Sequence, residues 1–184
     1  MRSRRTDARR NRQAILRVAD AAFAQGTEVV PLAEIARRAG LGRATVYRHF
    51  PDRQALGAAV AAQQIGMLRS VADADGEEVD FRCLMHLVLA DQIARRPLVQ
   101  LFRELSSRDQ RRYVDSLIGA LTPAFRRAQA DGQIRADLEP ADLVLVFEMV
   151  EAALTSPFSE ADRGAAAERL LPAILDGLCV RSAS

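Results

Sequence analysis

The side chains between residues 43 and 49 combine charged, hydroxyl and small apolar groups at helical spacing. Arg43 and Arg48 carry guanidinium forks that can pair with O6 and N7 of guanine, and the methyl group of Ala44 can contact the methyl group of thymine. Three neighbours carry groups that can hydrogen-bond to phosphate and fix the register on a duplex: Thr45, Tyr47 and His49. The pattern favours recognition of double-stranded DNA.

The surrounding residues must place these side chains on one exposed face. Pro31 suits the first turn of a short helix, and Gly40 ends that helix. A second short helix is predicted from Arg43 to Phe50, where Pro51 excludes further helical geometry. The apolar side chains that would hold the two helices together are Ala36, Leu41 and Val46. The spacing therefore predicts a helix-turn-helix over residues 31–50, with its second helix in the major groove.

Hydrophobic periodicity predicts helices along the whole chain. Ala, Leu and Arg are abundant, β-branched runs are scarce, and the aromatic residues are seven Phe and two Tyr. Such a composition favours packed helices over sheets. The predicted fold is all-α with about nine helices, at residues 7–25, 31–40, 43–50, 52–71, 81–97, 98–105, 109–132, 140–154 and 163–178. Gly119 and Pro123 are expected to kink or interrupt the seventh helix.

Charge is distributed unevenly along the 184 residues. The net charge of the whole chain is +2, yet residues 1–53 contain 12 Arg and five acidic residues, whereas residues 54–184 contain 14 Arg and 19 acidic residues. The first segment thus carries +7 and the remainder −5. Because neutralised phosphates supply most non-specific DNA affinity, the amino-terminal segment is expected to bind DNA.

Several other classes of protein find little support. No uninterrupted apolar stretch follows the Arg-rich start and none approaches the length of a membrane span, so a cytoplasmic protein without membrane contact is expected. The sequence has neither a nucleophile elbow nor a phosphate-binding glycine loop, and its two His lack zinc-helix spacing, so no enzyme, cofactor or metal is expected. Cys83 and Cys179 are expected to be buried thiols, with a redox switch as the alternative.

From Ile35 to Phe50 the chain reads IARRAGLGRATVYRHF, which resembles the signature of TetR-type bacterial transcription regulators. The likeness continues to Leu56. Arg53 stands where the family usually has a phosphate-binding Lys, which keeps the charge, whereas Pro31 stands where many members have a capping Ser or Thr.

The resemblance implies a division of labour along the chain. Residues 1–53 would form the helix-turn-helix DNA-binding domain, residues 52–71 a linking helix, and residues 54–184 an effector-binding and dimerisation domain. The expected function is repression by a homodimer on a palindromic operator, released by a small-molecule effector. Arg53 and the tail residues Arg4 and Arg5 would contact phosphates. An architectural or adaptor DNA-binding protein without an effector is the alternative.

Two further sets of residues follow from the resemblance. The last two helices would pair with those of a second subunit, or else fill the core of the monomer; the predicted interface residues are Leu143, Val146, Phe147, Val150, Leu154, Leu170, Leu171, Ile174, Leu175 and Leu178. The candidate effector pocket, for which core packing is the alternative at each position, comprises Met85, His86, Leu89, Gln92, Phe102, Tyr113, Phe125, Phe147, Met149 and Glu151. His86 alone is expected to be a hydrogen-bonded core residue.

Overall fold

Helices make up nearly all the regular structure of the chain. A computed structural model describes residues 2–25, 29–72, 80–155 and 163–180. Those residues contain a 3₁₀ turn at Pro140–Asp142 and an isolated bridge between Ile134 and Cys179, with no longer strand. The α-helices are α1 (Arg2–Gln25), α2 (Leu32–Arg38), α3 (Arg43–His49), α4 (Arg53–Ala72), α5 (Phe81–Ala94), α6 (Arg96–Arg103), α7 (Ser107–Ala130), α8 (Leu143–Thr155) and α9 (Arg163–Leu178). The predicted all-α class is confirmed.

Two proline positions differ from the prediction. Pro97 was expected to end the fifth helix, but α5 ends at Ala94 and Pro97 lies in the first turn of α6. A proline is tolerated there because the first turn leaves its N–H groups unpaired anyway. Of the kink or interruption expected at Gly119 and Pro123, the interruption is wrong, since α7 continues through both residues. Buried Leu121 and Phe125 flank Pro123, so packing of these turns offsets the lost backbone hydrogen bond.

The chain divides into two compact units. Unit 1 comprises Met1–Gln63 and Arg95–Gln110, and unit 2 comprises Gln64–Ala94 and Arg111–Ser184. The division falls inside α4. Helix α6 belongs to unit 1, whereas the division predicted from the sequence puts this helix in the second domain. The reason is visible in the packing of unit 1, where α6 supplies core residues.

The core of unit 1 is built from five helices. Arg95, at the start of α6, donates hydrogen bonds from Nη1 to the backbone O and to Oδ1 of Asp20 in α1, at 3.0 and 2.8 Å. On α4, a Cβ placed at Gly57 would lie only 2.9 Å from Cδ1 of Leu101 in α6. Buried side chains of this unit include Ile15, Ala19, Phe23, Leu32, Ile35, Ala36, Val46, Phe50, Leu56, Val60, Leu98 and Leu101.

Unit 2 has its own apolar core, centred on α5. This helix packs against α8 and α9, and Phe81 meets Phe125 of α7 edge to face, with ring centroids 5.5 Å apart. Gly132 follows α7 with φ +71°, a left-handed conformation that glycine adopts without strain. The backbone N–H of Val180 then donates to the carbonyl of Gln133 at 2.8 Å. In the part of the chain that the structure describes, no helix has the length and apolar character needed to cross a membrane.

Candidate nucleic-acid interface

The turn between α2 and α3 is closed by backbone hydrogen bonds. Gly40 has φ +66°, and its N–H donates to the carbonyl of Arg37 at 3.2 Å, while the N–H of Leu41 donates to the carbonyl of Ala36 at 3.0 Å. These bonds satisfy carbonyls that the end of α2 would leave unpaired. The turn forms at the glycine that the sequence indicated.

Helix α3 has one buried and one exposed face. Val46 is completely buried and Phe50 is 2% exposed, whereas Tyr47 is 49% exposed. Arg12 of α1 lies over the Phe50 ring, with its guanidinium carbon 5.0 Å from the centroid. The other predicted DNA-contacting residues of α3 are exposed or half-buried: Arg43, Ala44, Thr45, Arg48 and His49. The helix thus turns the predicted reading face outward and is fixed to unit 1 by the opposite face.

The two arginines of α3 differ in what they contact. Arg48 folds back along its own helix, where Nε donates to the carbonyl of Ala44 at 3.1 Å and Nη2 donates to Oγ1 of Thr45 at 3.3 Å. Arg43 lies at the first position of the helix and forms no ion pair with any described residue. Arg43 can therefore bind an external acceptor directly. Arg48 must first release its hydrogen bonds to Ala44 and Thr45.

An exposed ion-pair cluster lies on α2, beside the turn. Glu34 accepts hydrogen bonds from Nε and Nη2 of Arg37 at 2.8 and 2.7 Å and from Nε of Arg38 at 2.8 Å. These bonds lower the pKa of Glu34 to about 2, and those from Arg37 contribute most. This cluster was not predicted from the sequence, although the i, i+3 and i, i+4 spacing of the three residues is a signal for it.

Arg53, the first residue of α4, is bound to a carboxylate. Its Nη2 lies 3.2 Å from both Oε1 and Oε2 of Glu104, and Nε2 of the neighbouring Gln54 donates to Oε2 at 3.2 Å. Asp52 caps the helix, because its Oδ1 accepts a hydrogen bond from the N–H of Ala55 at 2.7 Å. Glu104 is 51 residues away from Arg53 in the chain, so no local pattern could have revealed this pair.

The remaining predicted phosphate contacts lie in the tail. The structure continues α1 back to Arg2, five residues before the predicted start. The side chains of Arg4 and Arg5 lie outside the described residues.

This chain matches a known protein family in sequence and solved structures in fold. The family model described as bacterial regulatory proteins, tetR family, matches residues 15–60. The crystal structure of a TetR transcription regulatory protein from Mycobacterium vanbaalenii is 31% identical, covers 96% of this chain and 99% of that protein, and superposes with a TM-score of 0.66. The chain belongs to the TetR family. It is a DNA-binding transcriptional regulator, in agreement with the prediction from the sequence.

Other relatives of this TetR-family chain give the same picture. A TetR transcriptional regulator from Streptomyces coelicolor is 29% identical, with 93% of this chain and 99% of that one covered and a TM-score of 0.66. An uncharacterized HTH-type transcriptional regulator from Mycobacterium bovis is 34% identical over 74 residues. That match covers 40% of this chain and only 39% of the relative's length. The similarity to this Mycobacterium bovis protein is thus restricted to part of each chain.

The predicted effector-pocket residues of the TetR-family chain differ in burial and in the unit to which they belong. Met85, Leu89 and Phe125 are fully buried in the core of unit 2, and Phe102 lies in unit 1. Met149 is exposed. Half-buried members in unit 2 are Gln92, Tyr113, Phe147 and Glu151.

Two of the half-buried residues, Gln92 and Phe147, are in direct contact. Nε2 of Gln92 donates to the carbonyl of Phe147 at 3.0 Å, while Oε1 is buried and has no donor among the described residues. Burial raises the pKa of Tyr113, and the nearby Asp91 carboxylate adds to the increase. Gln92 and Tyr113 are thus two half-buried polar side chains of unit 2.

His86 and Cys83 contradict the expectations for them. Both are exposed on α5, whereas His86 was expected to be a core residue and Cys83 a buried thiol. Their neighbours Leu84 and Met85 fill the core instead, because only one face of α5 is turned inward. Cys179 is half-buried, and burial raises its pKa although Arg82 opposes the shift.

Most of the predicted dimer-interface residues point into the chain's own core. The residues buried in unit 2 are Leu143, Val146, Val150, Leu154, Leu171, Leu175 and Leu178, with Phe147 and Ile174 packed against them. Within one chain these side chains fill the core, which is the alternative stated from the sequence, and their pairing with a second subunit stays a prediction. Leu170 is 56% exposed, and the large apolar side chains that α8 exposes are Leu145 and Met149, at 59% and 57%.

Proposed function

We propose that this TetR-family chain is a repressor that binds a palindromic operator as a homodimer and is released by a small molecule. Unit 1 would carry DNA recognition, and unit 2 would carry dimerisation and the effector. The observation that carries the proposal is the two-faced character of α3, which buries Val46 completely and leaves Arg43, Ala44 and Tyr47 exposed. A helix anchored in this way can enter the major groove without disturbing its own core.

The exposed groups of α3 suit both kinds of DNA contact. Arg43 lies at the amino end of the helix, where a recognition helix meets base edges, and its fork matches guanine. Ala44 is small enough to let the backbone approach a thymine methyl. The residues proposed to contact phosphates are Thr45, Tyr47, His49, Arg53 and the tail residues Arg4 and Arg5, and Arg48 is proposed as a second base contact.

A homodimer is supported by the apolar side chains left on the surface of the last two helices. Leu145 and Met149 are four residues apart, so they lie on one face of α8, and Leu170 is exposed on α9. Neighbouring exposed apolar groups such as Leu145 and Met149 are typical of protein interfaces. Two subunits would also supply two reading helices for half-sites about 34–36 Å apart on DNA.

An effector that donates a hydrogen bond is supported by Gln92. Its Oε1 is buried without a donor among the described residues, and a buried unpaired carbonyl destabilises a protein. A ligand with an N–H or O–H group beside Phe147 would satisfy that oxygen. Such a ligand would shift the equilibrium between two arrangements of the protein if it bound one of them more tightly.

Footprinting and sedimentation test this proposal together. The DNA upstream of the chain's own gene is compared with a scrambled duplex, and the mass of the complex gives its stoichiometry. We expect protection of two half-sites by two chains. A Leu145→Glu/Met149→Glu variant should sediment as a monomer and lose the footprint, while Glu148→Gln, an exposed change on the same helix, should do neither. Equal protection of scrambled DNA, or a variant that remains dimeric, would contradict the proposal.

A further inference from the structure

We propose that Glu104 competes with a DNA phosphate for Arg53, so that the chain carries an internal carboxylate that lowers its DNA affinity. The inference rests on the proposed role of Arg53 as a phosphate contact. The carboxylate of Glu104 lies 3.2 Å from Nη2 of Arg53 through both of its oxygens, and Gln54 donates to the same group.

Glu104 is held in place by the packing of α6 against α4. It is the residue at which α6 ends, and its N–H donates to the carbonyl of Leu101 at 3.2 Å. Leu101 is 1% exposed and lies against Gly57, one turn along α4 from Arg53. The close approach allowed by this glycine brings the end of α6 to the start of α4. The ion pair therefore follows from a packed helix contact and is more than a chance meeting of two long side chains.

A carboxylate and a phosphate make the same demand on Arg53. Both offer two oxygens to the planar fork of a guanidinium, and both gain from a charge-assisted hydrogen bond. Arg53 has its Nη2 engaged by Glu104, so a phosphate must replace that contact or share the guanidinium with it. The side chains of Arg53 and Glu104 are 52% and 37% exposed, so solvent and DNA can reach the pair.

The expected size of the effect follows from the exposure of the pair. Ion pairs this accessible contribute only weakly, so removing the carboxylate should tighten DNA binding by about two- to fivefold. The gain should be the same on operator and scrambled duplexes, because a phosphate contact carries no sequence information. Glu104 thus tunes affinity and leaves discrimination between sequences unchanged.

The test is a double-mutant cycle read by fluorescence anisotropy on a labelled operator duplex and on a scrambled one. The four proteins are the wild type, Glu104→Gln, Arg53→Gln and the double variant. We expect Glu104→Gln to bind both duplexes two- to fivefold more tightly than the wild type. In the Arg53→Gln background, Glu104→Gln should have no effect, because the guanidinium for which Glu104 and the phosphate compete is then absent.

Asp109→Asn is the matched control. It also removes one negative charge from unit 1, and Asp109 is bound to Ser106. A smaller gain than that of Glu104→Gln is expected. Unchanged or weaker binding by Glu104→Gln, an equal gain from Asp109→Asn, or an equal gain in the Arg53→Gln background would overturn the inference. Failure of the proposed function would give a different result, namely equal affinity of the wild type for the operator and the scrambled duplex. The effect of Glu104→Gln could still be measured in that case.

Discussion

Val46 and Tyr47 are adjacent in α3, yet Val46 is completely buried and Tyr47 is 49% exposed. The contrast shows how a seven-residue helix serves two purposes. One side chain anchors the helix to unit 1, and the next is presented to solvent. Substitutions at these neighbours should therefore separate stability from DNA recognition.

Val46→Ala is expected to lower the free energy of unfolding by about 1.5–3 kcal/mol, because it removes two buried methyl groups. Tyr47→Ala should cost clearly less, because Tyr47 is 49% exposed and lies outside the core. Urea denaturation followed by circular dichroism measures both. Equal destabilisation by the two substitutions would show that α3 is not oriented as described.

Gly40 is expected to be required for the turn between α2 and α3. Its φ of +66° is strained for other residues, so Gly40→Ala should destabilise the chain by about 1–2 kcal/mol although no atom lies within 4 Å of the added Cβ. The control is Gly42→Ala, where φ is −64°. That change should cost less than Gly40→Ala, because alanine adopts the extended conformation of this N-cap position without strain. An equal loss of stability at Gly40 and Gly42 would show that the left-handed conformation of Gly40 is not the cause.

Gly57 is expected to be required for the contact between α4 and α6. In Gly57→Ala the new Cβ would lie 2.9 Å from Cδ1 and 3.3 Å from Cβ of Leu101, so we expect a loss of about 1–3 kcal/mol. Gly66→Ala lies on the same helix with nothing within 4 Å and should stabilise by about 0.5–1 kcal/mol. Thermal unfolding compares the two variants. A stabilising Gly57→Ala would argue against this packing.

Glu34 should remain charged to unusually low pH. Hydrogen bonds from Arg37 and Arg38 hold its pKa at about 2, against an ordinary value of 4.5. Because the pKa is lowered on folding, the cluster contributes stability above pH 4.5 and loses that contribution as the pH falls toward 2. Titration of the carboxyl carbon by NMR should give a midpoint near 2. In an Arg37→Ala/Arg38→Ala variant the midpoint should rise toward 4.5, and an unchanged midpoint would contradict the cluster.

Local patterns predicted much of this molecule. The turn at Gly40 and the burial of Val46 follow from glycine's conformational freedom and from helical periodicity, which act over a few residues. The continuation of α7 through Pro123 was not predicted, because tertiary packing outweighs the local cost of proline there. Pro97 was predicted to end a helix, although proline is equally suited to the first turn of the next helix, where it lies.

Contacts between distant segments explain the remaining differences. Glu104 meets Arg53 only because α6 packs against α4, and the exposure of His86 depends on which face of α5 is covered. The periodicity of α8 and α9 likewise identified an apolar face without telling whether that face meets the chain's own core or a second subunit. It meets the core.

The most direct test of the account compares operator and scrambled duplexes for the wild type, Arg43→Ala, Tyr47→Ala and the exposed unit 2 control Arg111→Ala. Binding is measured by anisotropy at two salt concentrations. Arg43→Ala should lose about 1–3 kcal/mol of operator binding and reduce discrimination, Tyr47→Ala should weaken binding to the operator, and Arg111→Ala should match the wild type. Wild-type protein that binds both duplexes equally, with no effect of Arg43→Ala or Tyr47→Ala, would contradict recognition through α3.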